Sequence, residues 1–437
     1  MASSPHVDDR PALSAQVTTA PSRLRMIVVL GALVALGPLT IDMYLPALPS
    51  IGDELGVSSS VAQLTLTGTL AGLALGQLLV GPLSDSLGRR RPLMAGIVLH
   101  MLASLLCMFA PDVVVLGLAR SLQGVGAAAA AVVAIAVVGD LFAGNAAATV
   151  MSRLMLVLGV APVLAPSLGA AVLLHASWHW VFAALVVGAG ALLLMAVLAL
   201  PETLPPAHRR PLRVRGIAAT YVSLVRDMRF VVLVLVAALG MSGLFAYVSG
   251  AAFVLQGRYG LDQQTFALVF GAGAVALIAT TQFNVVLLRR FSPQRIMVWA
   301  LVAASLAGVA FVGLAVAGVG GLAGFLVSVW LILAAMGLVL PNAPAVALSR
   351  HHEAAGTAAA LLGAAQFGLG AAVAPLVGVL GNDEFALALV MTAGVVVALV
   401  ALVAARVPQT RADDESADSA VDEVTDEVTA DAVAEPA

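Results

Sequence analysis

Twelve apolar stretches, each long enough to cross a lipid bilayer as a helix, run through the 437-residue chain. A hydrocarbon core about 30 Å thick takes roughly 20 apolar residues in helical form. The stretches fall at 26–46, 60–83, 93–110, 113–138, 150–174, 179–200, 230–255, 264–288, 296–316, 320–347, 355–380 and 385–405. Several breaks between them are very short, among them Ala110-Pro111-Asp112 and Gly318-Val319-Gly320-Gly321, as antiparallel helix hairpins require. Composition agrees: 61% of the residues are hydrophobic and 10% are charged. A soluble domain carries about 25% charged residues. This chain could not cover a water-facing surface, which excludes a water-soluble enzyme. The expected fold is an all-α polytopic membrane protein with 12 transmembrane helices.

The charges that remain are sharply sorted. The net charge of −3 hides a body, residues 1–408, with 20 Arg against 14 acids, and a tail, residues 409–437, with one Arg against 10 acids. Cytoplasmic loops are enriched in basic residues. With the N-terminus inside, 19 of the 21 arginines fall on that side: Arg10, Arg23, Arg25, Arg89, Arg90, Arg91, Arg153, Arg209, Arg210, Arg213, Arg215, Arg226, Arg229, Arg289, Arg290, Arg295, Arg350, Arg406 and Arg411. Arg258 falls outside and Arg120 within a span. Both termini are therefore expected in the cytoplasm. The first 24 residues lack the apolar core of a cleaved signal peptide, so the first span is expected to be retained. The chain has no lysine, which excludes a P-loop ATPase and Schiff-base chemistry. Its single cysteine, Cys107, excludes an internal disulfide and a thiolate metal cluster.

The longest interior break, from Pro201 to Arg229, is rich in Pro and Arg and divides the spans six and six. The expected organisation is a cytoplasmic N-terminal segment (1–25), a six-helix bundle (26–200), a cytoplasmic linker (201–229), a second six-helix bundle (230–406) and a disordered acidic cytoplasmic tail (407–437). A shift of about 204 residues lays Leu83-Ser84-Asp85-Ser86-Leu87-Gly88-Arg89-Arg90-Arg91 on Leu287-Leu288-Arg289-Arg290-Phe291-Ser292-Pro293-Gln294-Arg295, and Gly159 on Gly363. Parallel six-helix repeats with a site between them describe a transporter that works by rocking.

Five tracts carry further information. Gly81-Pro82-Leu83-Ser84-Asp85-Ser86-Leu87-Gly88-Arg89-Arg90-Arg91 joins spans two and three. A solvated basic loop explains its arginines but not the Gly–Asp–Gly spacing; Asp85 can cap a helix start or pair with arginines across the halves. Arg120-Ser121-Leu122-Gln123-Gly124-Val125-Gly126 lies within span four. An arginine inside the membrane is costly, so it is rarely incidental. A dinucleotide fingerprint at Gly124-Val125-Gly126-Ala127-Ala128-Ala129 is rejected, because it follows an intramembrane arginine and not a strand. Gly159-Val160-Ala161-Pro162-Val163-Leu164-Ala165-Pro166-Ser167-Leu168-Gly169, in span five, combines small residues that allow close helix contact with two helix-bending prolines. Thr40-Ile41-Asp42-Met43-Tyr44-Leu45-Pro46 lies in span one, and Gly337-Leu338-Val339-Leu340-Pro341-Asn342 in span ten.

Together these tracts resemble the major facilitator superfamily, and within it the proton-driven multidrug efflux proteins of the Bcr/CflA type, over roughly residues 26–406. The resemblance implies a drug:proton antiporter of the plasma membrane. Gly81, Asp85, Gly88, Arg89 and Arg90 would form its gating loop, and Gly159, Pro162, Pro166 and Gly169 its antiporter helix. One departure stands out: Val28 to Leu39 holds no second acid, which some related exporters carry.

Asp42 is the carboxylate within a span, four residues before Pro46, about 6 Å deep at 1.5 Å per residue. Arg120 lies eight residues after Asp112, about 12 Å deep. A low dielectric favours a neutral carboxyl and a nearby arginine favours its anion. A site balancing the two can take up and release a proton, and Asp42 and Arg120 are the candidate coupling pair. An Asp42 standing in interfacial water is the plainer alternative. Tyr44, Gln123, Tyr247 and Gln366 are the candidate substrate contacts, among other intramembrane polar residues (Gln63, Gln77, Gln282, Asn284 and Asn342) that can also serve as glue between helices. His351-His352-Glu353 lacks a wider ligand set for a metal.

The leading expectation is export of small amphipathic drugs or antibiotics, driven by the proton gradient with no cofactor. The expected partners are that drug-like substrate, protons and the bilayer, with no nucleic acid, and the chain is expected to act as a monomer. Export of an endogenous metabolite, or nutrient uptake, on the same scaffold is the alternative transport reading. A polytopic membrane enzyme is disfavoured for want of convergent catalytic groups, and a channel for want of a charge ring or filter-like loop. The tail lies outside the resemblance. Its deletion (residues 409–437) should leave transport largely intact, as measured by uptake into vesicles beside the full-length chain.

Overall fold

The computed structural model describes residues 23–209, 211–349 and 354–404. The first 22 residues, Arg210, Arg350, His351-His352-Glu353 and residues 405–437 with the acidic tail lie outside the described residues. Among the described residues, 12 helical segments are long and apolar enough to span a bilayer. They are built from α1 (Arg23–Asp42) with α2 (Leu48–Glu54), α3 (Ser59–Leu87), α4 (Arg90–Met108), α5 (Val113–Leu141), α6 (Gly144–Leu173), α7 (His179–Ala199), α9 (Met228–Ala252), α10 (Gln263–Leu287), α11 (Pro293–Ala317), α12 (Gly321–Leu348), α13 (Ala355–Val379) and α14 (Glu384–Ala404). A further short helix, α8 (Val214–Arg226), lies between α7 and α9.

Helix starts follow the local chemistry. Ser58, Asp112, Asp227, Asp262 and Ser292 precede α3, α5, α9, α10 and α11, and each side chain accepts from an amide of the first turn. Such a cap satisfies donors that the helix itself cannot. The first span departs from its expected end at Pro46. After α1 the chain passes through a 3-10 turn, Leu45–Ala47, and resumes as α2 to Glu54. Pro46 and Pro49 cannot donate an amide hydrogen, so the helix is interrupted there and restarts. The break falls directly after Asp42. A second departure is α8, a helix within the expected linker, residues 201–229.

The packing repeats. In the first half α1 lies against α5, α6 and α7, α3 against α5, and α4 against α5 and α7. In the second half α9 lies against α12, α13 and α14, α10 against α12, and α11 against α12 and α14. The two halves meet along α3 with α13 and α6 with α10, which are equivalent pairs under the repeat. The two ends of the molecule differ in charge. One, called here the Arg-rich end, carries Arg89, Arg90, Arg209, α8 and the end of α14. The other, the Arg-poor end, carries Pro46, Ser60 and Asn382.

Within the first half the helices nearly touch backbone to backbone. A Cβ on Gly72 would strike the Ser121 carbonyl oxygen, and one on Gly124 the Thr69 carbonyl oxygen, so α3 and α5 come together where neither has a side chain. Gly124 of the Arg–Gln–Gly tract therefore has a packing duty that is separate from any ligand. Overpacking of this kind costs about 1–3 kcal/mol. Gly124→Val should lower the Tm in detergent, whereas Gly117→Ala, which meets nothing within 4 Å, should leave it unchanged. Thermal unfolding of the purified variants checks both.

Candidate functional site

Arg120 is 0% exposed, so every donor it carries needs an internal partner or goes without. Its Nη1 donates to the Thr40 carbonyl at 2.9 Å, on α1, and to Gln123 Oε1 at 2.8 Å, one turn further along α5. The guanidinium carbon sits 4.0 Å from the centre of the Tyr44 ring and 5.7 Å from that of Phe182. A desolvated contact of this kind contributes about 2 kcal/mol. Nε and Nη2 of Arg120 have no hydrogen-bond partner among the described residues.

Around this centre lies a closed polar ring. Gln123 Nε2 donates to Ser104 Oγ at 2.7 Å, and Cys107 Sγ lies 3.6 Å from Gln123 Oε1. Ser104 Oγ donates to the His100 carbonyl at 2.7 Å and stands 3.5 Å from the imidazole Nδ1. His100 Nε2 lies 2.8 Å from Thr40 Oγ1, whose own hydrogen goes to the Leu36 carbonyl at 2.6 Å. With the hydroxyl hydrogen so placed, the imidazole is the donor to Thr40. Thr40, His100, Ser104, Gln123 and Arg120 thus join α1, α4 and α5 in one buried network. His100 and Ser104 were absent from the sequence reading. The available signal was a histidine in an otherwise apolar span with a serine four residues on, hence on the same face.

Asp42 is 4% exposed and forms no hydrogen bond or ion pair with a described residue. The α1 and α5 helices are neighbours, and Arg120 reaches the backbone two residues before Asp42 rather than its carboxylate. The plainer expectation, an aspartate standing in interfacial water, does not match this burial. The chain does not leave the helix end for water after Asp42 but continues through the Leu45–Ala47 turn into α2. Next to it, a Cβ on Gly169 would strike the Met43 carbonyl oxygen, so the α6 tract packs against the interruption of the first span. Pro162 and Pro166 lie inside α6, and Gly159 faces Ile278 of α10 across the halves. Tyr247 is buried on α9, stacked on Phe270 with ring centres 5.0 Å apart, and its hydroxyl has no described partner. Gln366 is half-buried on α13, far along the chain from the Arg120 network and with no hydrogen bond to it.

At the Arg-poor end the halves are joined by hydrogen bonds. Ser60 Oγ donates to the Gly378 carbonyl at 2.8 Å; Gln63 Nε2 donates to Asn382 Oδ1 at 2.7 Å and to the Ser249 carbonyl at 3.1 Å. Gln256 Nε2 donates to the Pro46 carbonyl at 3.2 Å, and Gln264 Nε2 to the Ala170 carbonyl at 2.7 Å. These bonds tie the two halves together at this end.

The loop after α3 lies at the Arg-rich end. Arg89 pairs with Asp85 at 2.5 Å and with Asp140 at 2.9 Å, and also donates to Ser84 Oγ. Asp85 sits near the close of α3, so it caps no helix start, and its partner belongs to its own half rather than the other. Glu202, just past α7, accepts from the Arg89 amide at 2.8 Å and the Arg90 amide at 3.3 Å, closing the start of α4 from outside the helix. Gly88 has φ +90°, a backbone conformation that favours glycine, and a Cβ there would push on the Glu202 carboxylate. Gly81 meets nothing within 4 Å.

Among the described residues, twelve candidate spans in two equivalently packed bundles, with a buried polar centre and hydrogen bonds joining the bundles at one end, have the architecture of a membrane transporter. Residues 30–375 match the Major Facilitator Superfamily, and the chain belongs to that family. It is a transporter and not an enzyme. It is 38% identical over 367 residues to an uncharacterized MFS-type transporter, YdgK, of Bacillus subtilis, covering 83% of this chain and 90% of that one. It is 31% identical over 361 residues to a bicyclomycin resistance protein homolog of Haemophilus influenzae, covering 82% and 90%. It is 38% identical over 251 residues to a chloramphenicol resistance protein of Pseudomonas aeruginosa, covering 57% and 58%. In fold it is similar to the xylose transporter XylE from E. coli in a partially occluded inward-open conformation, with a TM-score of 0.70 at 14% identity, covering 89% of this chain and 98% of that one.

Burial tends to raise the pKa of Glu202, but the amides of Leu204, Arg89 and Arg90 and the charge of Arg209 outweigh it and hold the carboxyl below its ordinary 4.5. A lowered acid stabilises the fold above its unfolded pKa, and that contribution is lost as pH falls through the folded one. Glu202→Gln should therefore lower the Tm at pH 7, and the difference from wild type should vanish well below pH 4.5, by thermal unfolding at both pH values.

Proposed function

We propose that the chain is a proton-coupled efflux antiporter that exports small amphipathic, drug-like compounds by rocking one bundle against the other about a site near the bilayer midplane. The observation that carries this reading is the burial of Asp42 and Arg120 on adjacent helices, at the point where the first span is interrupted and Gly169 presses on the Met43 carbonyl. Ionisable groups inside a membrane protein are expensive and mark ion pathways.

In this reading Asp42 carries the proton. When it is ionised, the spare Nε and Nη2 donors of Arg120 attract it; when it is protonated, that attraction is lost and Arg120 rests on Thr40, Gln123 and Tyr44. The difference moves α1 against α5, and through Gly169 it reaches α6, which packs on the second bundle at α10. The bundles 26–200 and 230–406 would rock about this seam, with the loop at Gly81, Asp85, Gly88, Arg89 and Arg90 gating the Arg-rich end. Tyr44, Gln123, Tyr247 and Gln366 are the proposed substrate contacts, the unpartnered Tyr247 hydroxyl foremost among them. The relatives named for resistance to bicyclomycin and chloramphenicol support antibiotics as cargo. The arginine distribution supports placing the Arg-rich end and both termini in the cytoplasm, with the chain a monomer in the plasma membrane. The proton gradient supplies the energy and no cofactor is required.

The test is drug susceptibility in an efflux-deficient host, together with proton-linked flux in vesicles. Wild type should confer resistance, and Asp42→Asn should abolish it while reaching the membrane in equal amount, with transport down by at least about tenfold. Unchanged transport by Asp42→Asn overturns the coupling assignment. Absence of both resistance and proton-linked flux with every drug tried moves the conclusion to export of an endogenous metabolite.

A further inference from the structure

The transport cycle has no use for α8, yet this helix touches both bundles. Ile217, Tyr221 and Leu224 share one face of it by helical spacing, and Leu224 is buried. The helix packs on α9 and α13 of the second half, and Tyr221 Oη donates to the Leu78 carbonyl of α3, in the first half, at 3.3 Å. Leu78 lies nine residues before the end of α3, about 13 Å back along its axis at 1.5 Å per residue. With 29 residues α3 is about 44 Å long and overruns a hydrocarbon core of about 30 Å. The Tyr221 contact therefore places α8 at the level where headgroups meet acyl chains, not out in the aqueous loop.

The rest of the helix surface fits that level. Beside the packed face, Ala218, Val222 and Val225 form a stripe, with Val222 49% and Val225 53% exposed. Arg215 and Arg226 are eleven residues apart, three turns along the same flank, at the stripe's outer edge. Arg229 follows in the first turn of α9. None of these three arginines forms an ion pair with a described residue. Ser223 and Gly216 lie on the opposite flank and are exposed.

We propose that α8 is an interfacial docking element for anionic phospholipid. The stripe of Val222 and Val225 enters the acyl boundary, and Arg215, Arg226 and Arg229 hold headgroup phosphates. An amphipathic helix with basic residues bordering its apolar face binds such surfaces through both terms together. The chain's own acidic tail, with Val421, Val424 and Val428 among its acids, is the rival occupant that deletion of residues 409–437 tests. Because α8 contacts α3 on one side and α9 and α13 on the other, the lipid bound there acts on the Arg-rich seam between the bundles.

The full-length chain, with Cys107→Ala removing its one native thiol, tests this by carrying a nitroxide at Val222→Cys, Val225→Cys or, as a reference, Ser223→Cys. It is reconstituted in phosphatidylcholine vesicles with and without phosphatidylglycerol. Labels at 222 and 225 should be more accessible to oxygen than to an aqueous nickel chelate, and the label at 223 the reverse. Native mass spectrometry of the chain should show retained phosphatidylglycerol that falls by about fivefold in the Arg215→Gln, Arg226→Gln, Arg229→Gln triple variant, with phosphatidylcholine unchanged. Chelate accessibility at 222 and 225 equal to that at 223 overturns the proposal, as does full phosphatidylglycerol retention in a triple variant that elutes as a folded monomer. A shift of the 222 and 225 labels on deleting residues 409–437 assigns this face to the tail and also overturns it.

Discussion

A guanidinium sealed from water has to be satisfied by the protein that surrounds it, and the first bundle is arranged around that demand. Arg120 takes a backbone carbonyl from α1, a side-chain oxygen from its own helix and the face of Tyr44. Each of these needs α1 and α5 to lie close, and they do. The Gln123 amide that serves Arg120 is itself held by Ser104, and the Thr40 hydroxyl is held by His100, so α4 is drawn into the same arrangement. Removing one member exposes the others to an uncompensated burial cost, which is why such networks behave as a unit. Asp42 stands at the edge of this unit without a fixed partner. A carboxyl in that position is free to change its charge without first breaking a bond.

The same seam shows why small residues occur where they do. Gly124 lets α3 approach α5, and Gly169 lets α6 approach the Met43 backbone. The two glycines serve different contacts, one holding a bundle together and the other joining the interruption of the first span to the helix that crosses to the second half. A change at the Asp42 interruption thus has a rigid route to α10 through α6. The repeat gives the second bundle the same arrangement, with α13 against α3 mirroring α6 against α10.

Much of this was legible before any coordinates. Lengths of apolar sequence reveal the spans, because burial in lipid leaves no other backbone solution. Arg120 and Asp42 stand out because charge inside an apolar run is rare. Neighbourhood through space was not legible. Nothing along the chain says that His100 meets Thr40, sixty residues away, or that Glu202 closes the start of α4 from beyond α7. Asp85 was expected either to cap a helix start or to pair with arginines across the halves, and instead holds Arg89 of its own loop, since a carboxylate four residues from an arginine finds it first. The α8 helix was hidden by its length and polarity, although Ile217, Tyr221 and Leu224 carry the helical spacing. The extension to Glu54 was hidden by Pro46, which reads as an end and is in fact a restart.

Among the described residues, the hydrogen bonds that join the halves at the Arg-poor end run between glutamines, a serine, an asparagine and backbone carbonyls, none of them titratable. Protonation breaks none of these hydrogen bonds directly. Under the proposed coupling the proton is read at Asp42, a group separate from those that hold the halves together at this end.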